Sequence, residues 1–152
     1  MNQLLTSLPL HINDGTIKTF NDYKKEKGYV IFFYPKALTP GCTLEAVKYS
    51  EYYQTFVDLG YQLIGISRDK VKKQNDFSCK YDIPFPLVSD TDSALCNHFK
   101  VLKNKKMFNN TFLAISRSTF IVNNDLEIIK EFLNVKPTEH IKAVLEYIKD
   151  KK

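Results

Sequence analysis

Apolar residues fall along this chain in two kinds of block. Some are short continuous runs, and others place one apolar residue every three or four positions. Near the start, Ile12 to Ile17 reads as a small hairpin, with Asp14-Gly15 supplying the positive φ of its turn. Tyr29 to Tyr34, YVIFFY, is the first long run. A β-branched and aromatic run with no polar position predicts a strand buried on both faces, as in a parallel sheet. Gln62 to Ser67, QLIGIS, predicts a second such strand. Between the two, Ala46, Tyr49, Tyr53 and Phe56 share one face of a helix predicted from Cys42 to Leu59, with Gly60 as its C′ residue. A helix from about Asp69 to Tyr81 follows, with Phe77 and Tyr81 one turn apart. Pro84-Phe85-Pro86 leads into a short strand, Leu87-Val88, and Ser89-Asp90 into a short helix ending near Phe99. Lys103 to Asn110 is polar and predicts a mobile loop. Thr119 to Val122 and Glu127 to Phe132 predict two strands around a turn at Asn123-Asn124. Pro137 opens a last helix, striped by Ile141, Val144, Leu145 and Ile148.

This order of elements describes one α/β domain over residues 1–152, with a central mixed sheet flanked by helices and an N-terminal β-hairpin. In such sheets, sites form where strands end at their C-terminal edge, and the loop from Pro35 to Cys42 lies there. Composition supports a folded chain: 43% hydrophobic residues, with 11 Phe and 9 Tyr, is a large apolar content for 152 residues. No apolar run approaches the ~18 residues of a membrane span. Met1 to Leu10 has neither a basic start nor a small-residue cleavage site, so no signal peptide is expected and the cytoplasm is the expected location. The net charge of +5 comes from scattered pairs such as Lys24-Lys25, Lys72-Lys73, Lys105-Lys106 and Lys151-Lys152. That pattern reads as a solvated surface, and no RRM, KH or zinc-finger pattern points to nucleic acid.

Three cysteines, Cys42, Cys79 and Cys96, make an odd count with no CxxC, which argues against a disulfide scaffold. Zinc is not expected, because Cys96 and His98 lie far in sequence from His11 and His140. Cys42 stands out by position. It follows Thr39-Pro40-Gly41 and opens the predicted helix. Helix N-termini carry unpaired N–H groups and partial positive charge, which favour thiolate over thiol. An ordinary thiol titrates near 8.5, whereas one at a helix start beside a cation falls to roughly 3.5–7.5. Thr39 brings a hydroxyl one turn before the sulfur, and Pro35 and Pro40 stiffen the loop and remove competing N–H donors. The bland alternative is a small buried hydrophobe, but a Pro/Gly-flanked junction is seldom core.

Pro35, Thr39 and Cys42 stand in the PxxxTxxC spacing of the peroxiredoxins. The stretch FFYPKALTPGCTLEA from Phe32 to Ala46 resembles the bacterioferritin comigratory protein (PrxQ) subfamily. LIGISRD at Leu63 to Asp69, PFPLVSD at Pro84 to Asp90 and SRSTFIV at Ser116 to Val122 agree in the same order, so the resemblance covers essentially the whole chain. It implies a thioredoxin-like fold and a thiol peroxidase that reduces hydrogen peroxide and alkyl hydroperoxides. Such an enzyme uses thioredoxin or a similar dithiol and needs no metal, haem or flavin. By the same resemblance, Cys42 matches the peroxidatic cysteine and Thr39 the residue that hydrogen-bonds thiolate and peroxide. Pro35 matches the residue shielding the site from water, and Arg117 the active-site arginine. Glu45 matches a common family residue, though a carboxylate in a first helical turn needs no special role. The subfamily implies a monomer or weak homodimer.

Many subfamily members carry a second, resolving cysteine five residues after the first, where this chain has Val47. Others place it on the next helix, where Cys79 falls. The helical wheel sets Cys79 away from Phe77 and Tyr81, among Lys72, Asn75, Asp76 and Asp82. Cys96 shares a face with Leu95 and Phe99 and reads as a packed thiol. Resolution by an external thiol is the remaining alternative for this step. A peroxide sensor signalling through its disulfide would use the same reactive cysteine. A disulfide reductase is disfavoured, because Thr39 takes the place of the first CxxC cysteine. Leu38, Phe85 and Pro86 are candidates to line an apolar approach for alkyl hydroperoxides.

Overall fold

The computed structural model describes residues 3–150, and the Lys151-Lys152 pair read above as solvated surface lies outside the described residues. A short helix, α1 (Gln3–Ser7), precedes a small antiparallel hairpin, β1 (Leu10–His11) and β2 (Ile17–Lys18). The Asp14-Gly15 turn forms as expected. Gly15 has φ 89°, and the Asp14 carboxylate accepts the Thr16 N–H at 3.0 Å and its hydroxyl at 2.6 Å. An isolated antiparallel bridge from Ile12 to Val88 ties this hairpin to the body of the protein. A 3-10 turn at Phe20–Tyr23 then leads to β3 (Gly28–Phe33), which takes in the predicted run up to Phe33.

β3 is followed by α2 (Pro40–Glu51), α3 (Tyr53–Asp58), β4 (Tyr61–Ser67) and α4 (Val71–Tyr81). Next come β5 (Leu87–Ser89) and α5 (Ala94–His98). A second hairpin consists of β6 (Leu102–Met107) and β7 (Asn110–Ile115). β8 (Ser118–Asn123), β9 (Ile128–Phe132) and α6 (Ile141–Lys149) complete the chain. The central sheet runs β5-β4-β3-β8-β9. β5, β4 and β3 are parallel, while β8 and β9 are antiparallel, which makes the sheet mixed.

The two-sided burial of β3 has a direct consequence. Val30 and Phe32 face one core with Ala46, Tyr49, Phe56, Phe77 and the α6 stripe, whereas Ile31 and Phe33 face another with Leu5, Leu95 and Phe120. Period-two alternation sends neighbours to opposite faces, so a strand between two cores must be apolar throughout.

Three expectations need correction. Pro137 does not open the last helix, which begins at Ile141 after a turn over residues 137–140. The helix predicted from Cys42 to Leu59 starts earlier, at Pro40, and breaks at Tyr52, whose φ of −99° and ψ of 2° separate α2 from α3. Ser50 explains the weak point: its hydroxyl donates to the Ala46 carbonyl at 2.7 Å, an i−4 bond that competes with the backbone ladder and bends helices. The loop predicted from Lys103 to Asn110 is instead part of the β6–β7 hairpin, with Lys103↔Ala114 and Lys105↔Phe112 in register. Its turn residues Phe108 and Asn109 both have positive φ, 51° and 69°, the geometry that matches strand twist in a two-residue hairpin turn.

Candidate active site

The loop after β3 is fixed from below. Tyr34 N–H donates to the Ile66 carbonyl at 3.0 Å, and Ala37 N–H donates to the Asp69 carboxylate at 2.7 Å. Thr39 is the N-cap of α2 in extended geometry, and Pro40 fills the first helical position, where its missing N–H is no loss. The Thr39 hydroxyl donates to the Lys36 carbonyl at 2.6 Å. Its proton is therefore committed, and the oxygen faces any further partner as an acceptor.

Cys42 is the third residue of α2, and no side chain caps that helix end. Cys42 is nonetheless buried, only 2% exposed. The expectation that such a junction is seldom core is thus overturned: neighbouring Ala37 and Ala46 are buried in the same cluster. Arg117, the residue just before β8, reaches it across the fold, with Nη2 3.4 Å from Cys42 Sγ. Gly41 makes the approach sterically possible, since a Cβ there would lie 3.2 Å from Arg117 Nη2. The guanidinium therefore presents a permanent cation to the sulfur at a helix start.

The other arm of Arg117 is held by Glu45, whose Oε1 accepts from Nη1 at 2.7 Å. Glu45 is fully buried and, because α2 starts at Pro40, lies beyond its first turn, so it is not the ordinary first-turn carboxylate that sequence allows. It lies one turn after Cys42, on the same side of α2. Burial pushes its carboxyl up, to about 8, against the opposing pull of Arg117. Oε2 has no hydrogen-bond partner and lies 3.5 Å from His140 Nε2. His140 was not singled out as a site residue by sequence. Its Nδ1–H donates to the Lys136 carbonyl at 2.7 Å, which leaves Nε2 as an acceptor in the neutral ring. The Tyr49 and Thr119 hydroxyls both lie 3.1 Å from that nitrogen and 2.7 Å from each other. Burial pushes His140 down, and Arg117 adds to that push.

Pro35 and Arg117 share the wall of a cavity of about 490 Å³ whose other side is the β6–β7 hairpin. Leu38, Phe85 and Pro86 do not line it. Phe85 instead belongs to the core, edge-on to Phe32 at 5.6 Å, because the Pro-flanked segment turns its ring inward. Cys79 is exposed on α4, its sulfur 3.8 Å from Asn75 Oδ1, on the polar side that the helical wheel assigns it. Cys96 is fully buried, as a packed thiol should be. All three sulfurs are free thiols. The site thus joins Pro35, Cys42 and Arg117, with Thr39 at the helix cap, while Cys79 stands apart on another helix.

A thioredoxin-like sheet that presents a helix-start cysteine to an arginine defines a protein of thiol redox chemistry. Comparison with known proteins is specific. Residues 3–131 match the AhpC/TSA family. Peroxiredoxin Bcp of Xanthomonas campestris pv. campestris is 39% identical over 142 residues, covering 93% of this chain and 88% of that protein. Peroxiredoxin Bcp of Bacillus subtilis is 36% identical over 150 residues, covering 99% of this chain and 95% of that protein. The structure of the X. campestris bacterioferritin comigratory protein, studied for its alkyl peroxide reduction activity, superposes with a TM-score of 0.89 at 38% identity over 97% of this chain and 93% of that one. The chain belongs to the AhpC/TSA family and is a peroxiredoxin, a thiol peroxidase.

Proposed function

We propose that Cys42 is the attacking sulfur, and the observation that carries this is the Arg117 guanidinium 3.4 Å from it. The thiolate attacks the terminal oxygen of a hydroperoxide. The O–O bond breaks as the S–O bond forms, leaving a sulfenic acid, and the departing alkoxide or hydroxide takes a proton to become alcohol or water. Arg117 stabilises the negative charge as it moves from sulfur to the leaving oxygen. Thr39, with its own proton on Lys36, accepts a hydrogen bond from the incoming peroxide O–H. Pro35 offers no N–H donor and shields the sulfur from water. Hydrogen peroxide and alkyl hydroperoxides are the substrates.

The resolving thiol in this reading is Cys79, supported by its exposure on α4. It attacks the sulfenic sulfur, expels water and forms the Cys42–Cys79 disulfide. Thioredoxin or a similar dithiol then reduces that bond by exchange. Because Cys42 is buried and Cys79 is solvent-facing, closing the bond requires α2 and α4 to unwind locally, bringing their Cα atoms within about 7 Å. The whole chain acts as one catalytic domain, a monomer or weak dimer in the cytoplasm. The test is peroxide consumption coupled to thioredoxin and its reductase, with mass mapping of the oxidised protein. Cys42→Ser is expected to abolish turnover. Cys79→Ser is expected to retain one round of peroxide reduction and to lose both the disulfide and steady turnover with thioredoxin. Full turnover in Cys42→Ser overturns the first assignment, and an unchanged Cys79→Ser overturns the second.

A further inference from the structure

The cavity that Pro35 and Arg117 share is far larger than hydrogen peroxide requires. At about 490 Å³ it exceeds by more than tenfold the ~30 Å³ taken by a water-sized ligand. Its charged lining is one-sided. Lys103 and Lys105, alternate residues of β6 and so about 7 Å apart along the strand, join Arg117 in the wall. The chain has 17 acidic residues, and none of them lines this cavity. Ile115 and Val135 add an apolar stretch. The hairpin that carries the lysines is anchored: Arg68 Nη2 donates to the Leu113 carbonyl at 2.7 Å, and Ser116 N–H donates to the Val101 carbonyl at 2.7 Å.

Cations, an apolar stretch and a wall residue, Arg117, whose Nη2 lies 3.4 Å from the Cys42 sulfur define a ligand with three matching parts. The geometry points to a specificity site in which Lys103 and Lys105 bind the carboxylate of an anionic organic hydroperoxide, its hydroperoxide end delivered past Pro35 to Cys42. This deepens the reading of Cys42 as the attacking thiolate and rests on it. The chemistry is unchanged. The two ammonium groups hold the far end of the substrate, and low-dielectric cavity walls focus their field on approaching anions.

The test compares cumene hydroperoxide with its para-carboxylate, whose charge lies across the ring from the peroxide. kcat/KM for each is measured with the full chain and a dithiol reductant. The carboxylate is expected to be favoured by about fivefold or more in dilute buffer, from two partly screened ion pairs. That preference falls to about one in the Lys103→Gln/Lys105→Gln double variant, while cumene hydroperoxide stays within about twofold. In the unaltered protein it also falls at about 1 M salt, where screening acts within ~3 Å, so the result does not depend on the variant's folding. No preference in the unaltered protein, a preference that survives both lysine removal and salt, or an equal loss on both peroxides in the variant overturns the specificity site. Failure of the unaltered protein to consume either peroxide overturns the reading of Cys42 instead.

Discussion

Cys42 and Cys96 occupy the same place in two helices. Each is the third helical residue, of α2 and α5 respectively, and each is buried, at 2% and 0% exposure. Their surroundings differ in sign. Arg117 Nη2 is 3.4 Å from Cys42, and no side chain caps α2. At α5 the carboxylate of Asp90 already occupies the helix start, accepting the Leu95 N–H at 3.0 Å and the Cys96 N–H at 2.8 Å. Burial pushes the Cys96 thiol up, and its hydrogen bond to Asp90 and the negative charge there push it further. In the reading proposed above, with Cys42 reactive and Cys96 inert, neither burial nor helix position separates the two sulfurs. The charge that meets the sulfur does, because an anion in a helix start uses the amides and field a thiolate would need.

The largest effect should follow from removing that charge. Arg117→Ala is expected to lower kcat/KM for peroxide by about 10²–10³, the usual scale for a group stabilising developing negative charge. Arg117→Lys should recover only part of the loss, since an ammonium cannot bridge Cys42 and Glu45 with two separate arms. Steady-state rates across peroxide concentrations check both. A rate for Arg117→Ala within a few fold of the parent protein would mean that the helix start alone activates the sulfur, and the contrast with Cys96 would collapse.

What sequence could reveal about this contrast follows from the range of each signal. The strands β3 and β4 were readable because burial on two faces removes polar positions from a contiguous run. The helix start that carries Cys42 was readable because Thr39, Pro40 and Gly41 mark it locally. The hairpin β6–β7 was not: most of its side chains are exposed on both faces, Phe108 at 89%, so no period-two pattern is imposed, and it is held by its backbone ladder and by the Arg68 bond to the Leu113 carbonyl. The buried support of Arg117 was equally hidden. Glu45 is 72 residues from Arg117 in sequence, and His140 meets Glu45 only because α6 packs on the same face of the sheet as α2. Among the local signals, the i,i+3 spacing of Cys42 and Glu45 was visible, but a carboxylate near a predicted helix start is common for unrelated reasons.

That hidden support gives the second effect, which is in stability rather than rate. Glu45 is raised to about 8 from 4.5, so the native state binds the extra proton between those values, and stability falls as pH rises across that window. His140 is lowered from 6.5, so the unfolded state binds the extra proton, and stability rises as pH climbs to about 6.5. The two slopes oppose each other in the parent protein. Each single variant exposes the other. His140→Gln should lose on the order of 2 kcal/mol from pH 5 to pH 8.5, while Glu45→Gln should gain stability from pH 5 to pH 7. Urea midpoints at these pH values check the signs. Parallel pH profiles for the two variants would show that the pair does not titrate against folding.

The smallest effect tests the other side of the contrast. Asp90→Asn removes the negative charge beside Cys96 while keeping a side-chain oxygen that can accept one of the two amide bonds. Stability should drop by about 1–2 kcal/mol, since a hydrogen bond to a charged acceptor becomes neutral and one N–H loses its partner. The Cys96 thiol should titrate lower, because the charge that helps to hold it up is gone, but burial remains and should still keep it above an ordinary cysteine. Peroxide turnover should stay within about twofold of the parent, as Cys96 lies in the core on the opposite face of the sheet from Cys42. Thiol titration in a Cys42→Ser/Cys79→Ser background isolates the Cys96 signal. If Cys96 there titrates no differently once Asp90→Asn is added, then burial alone silences it, and the sign of the neighbouring charge matters only where the sulfur must work.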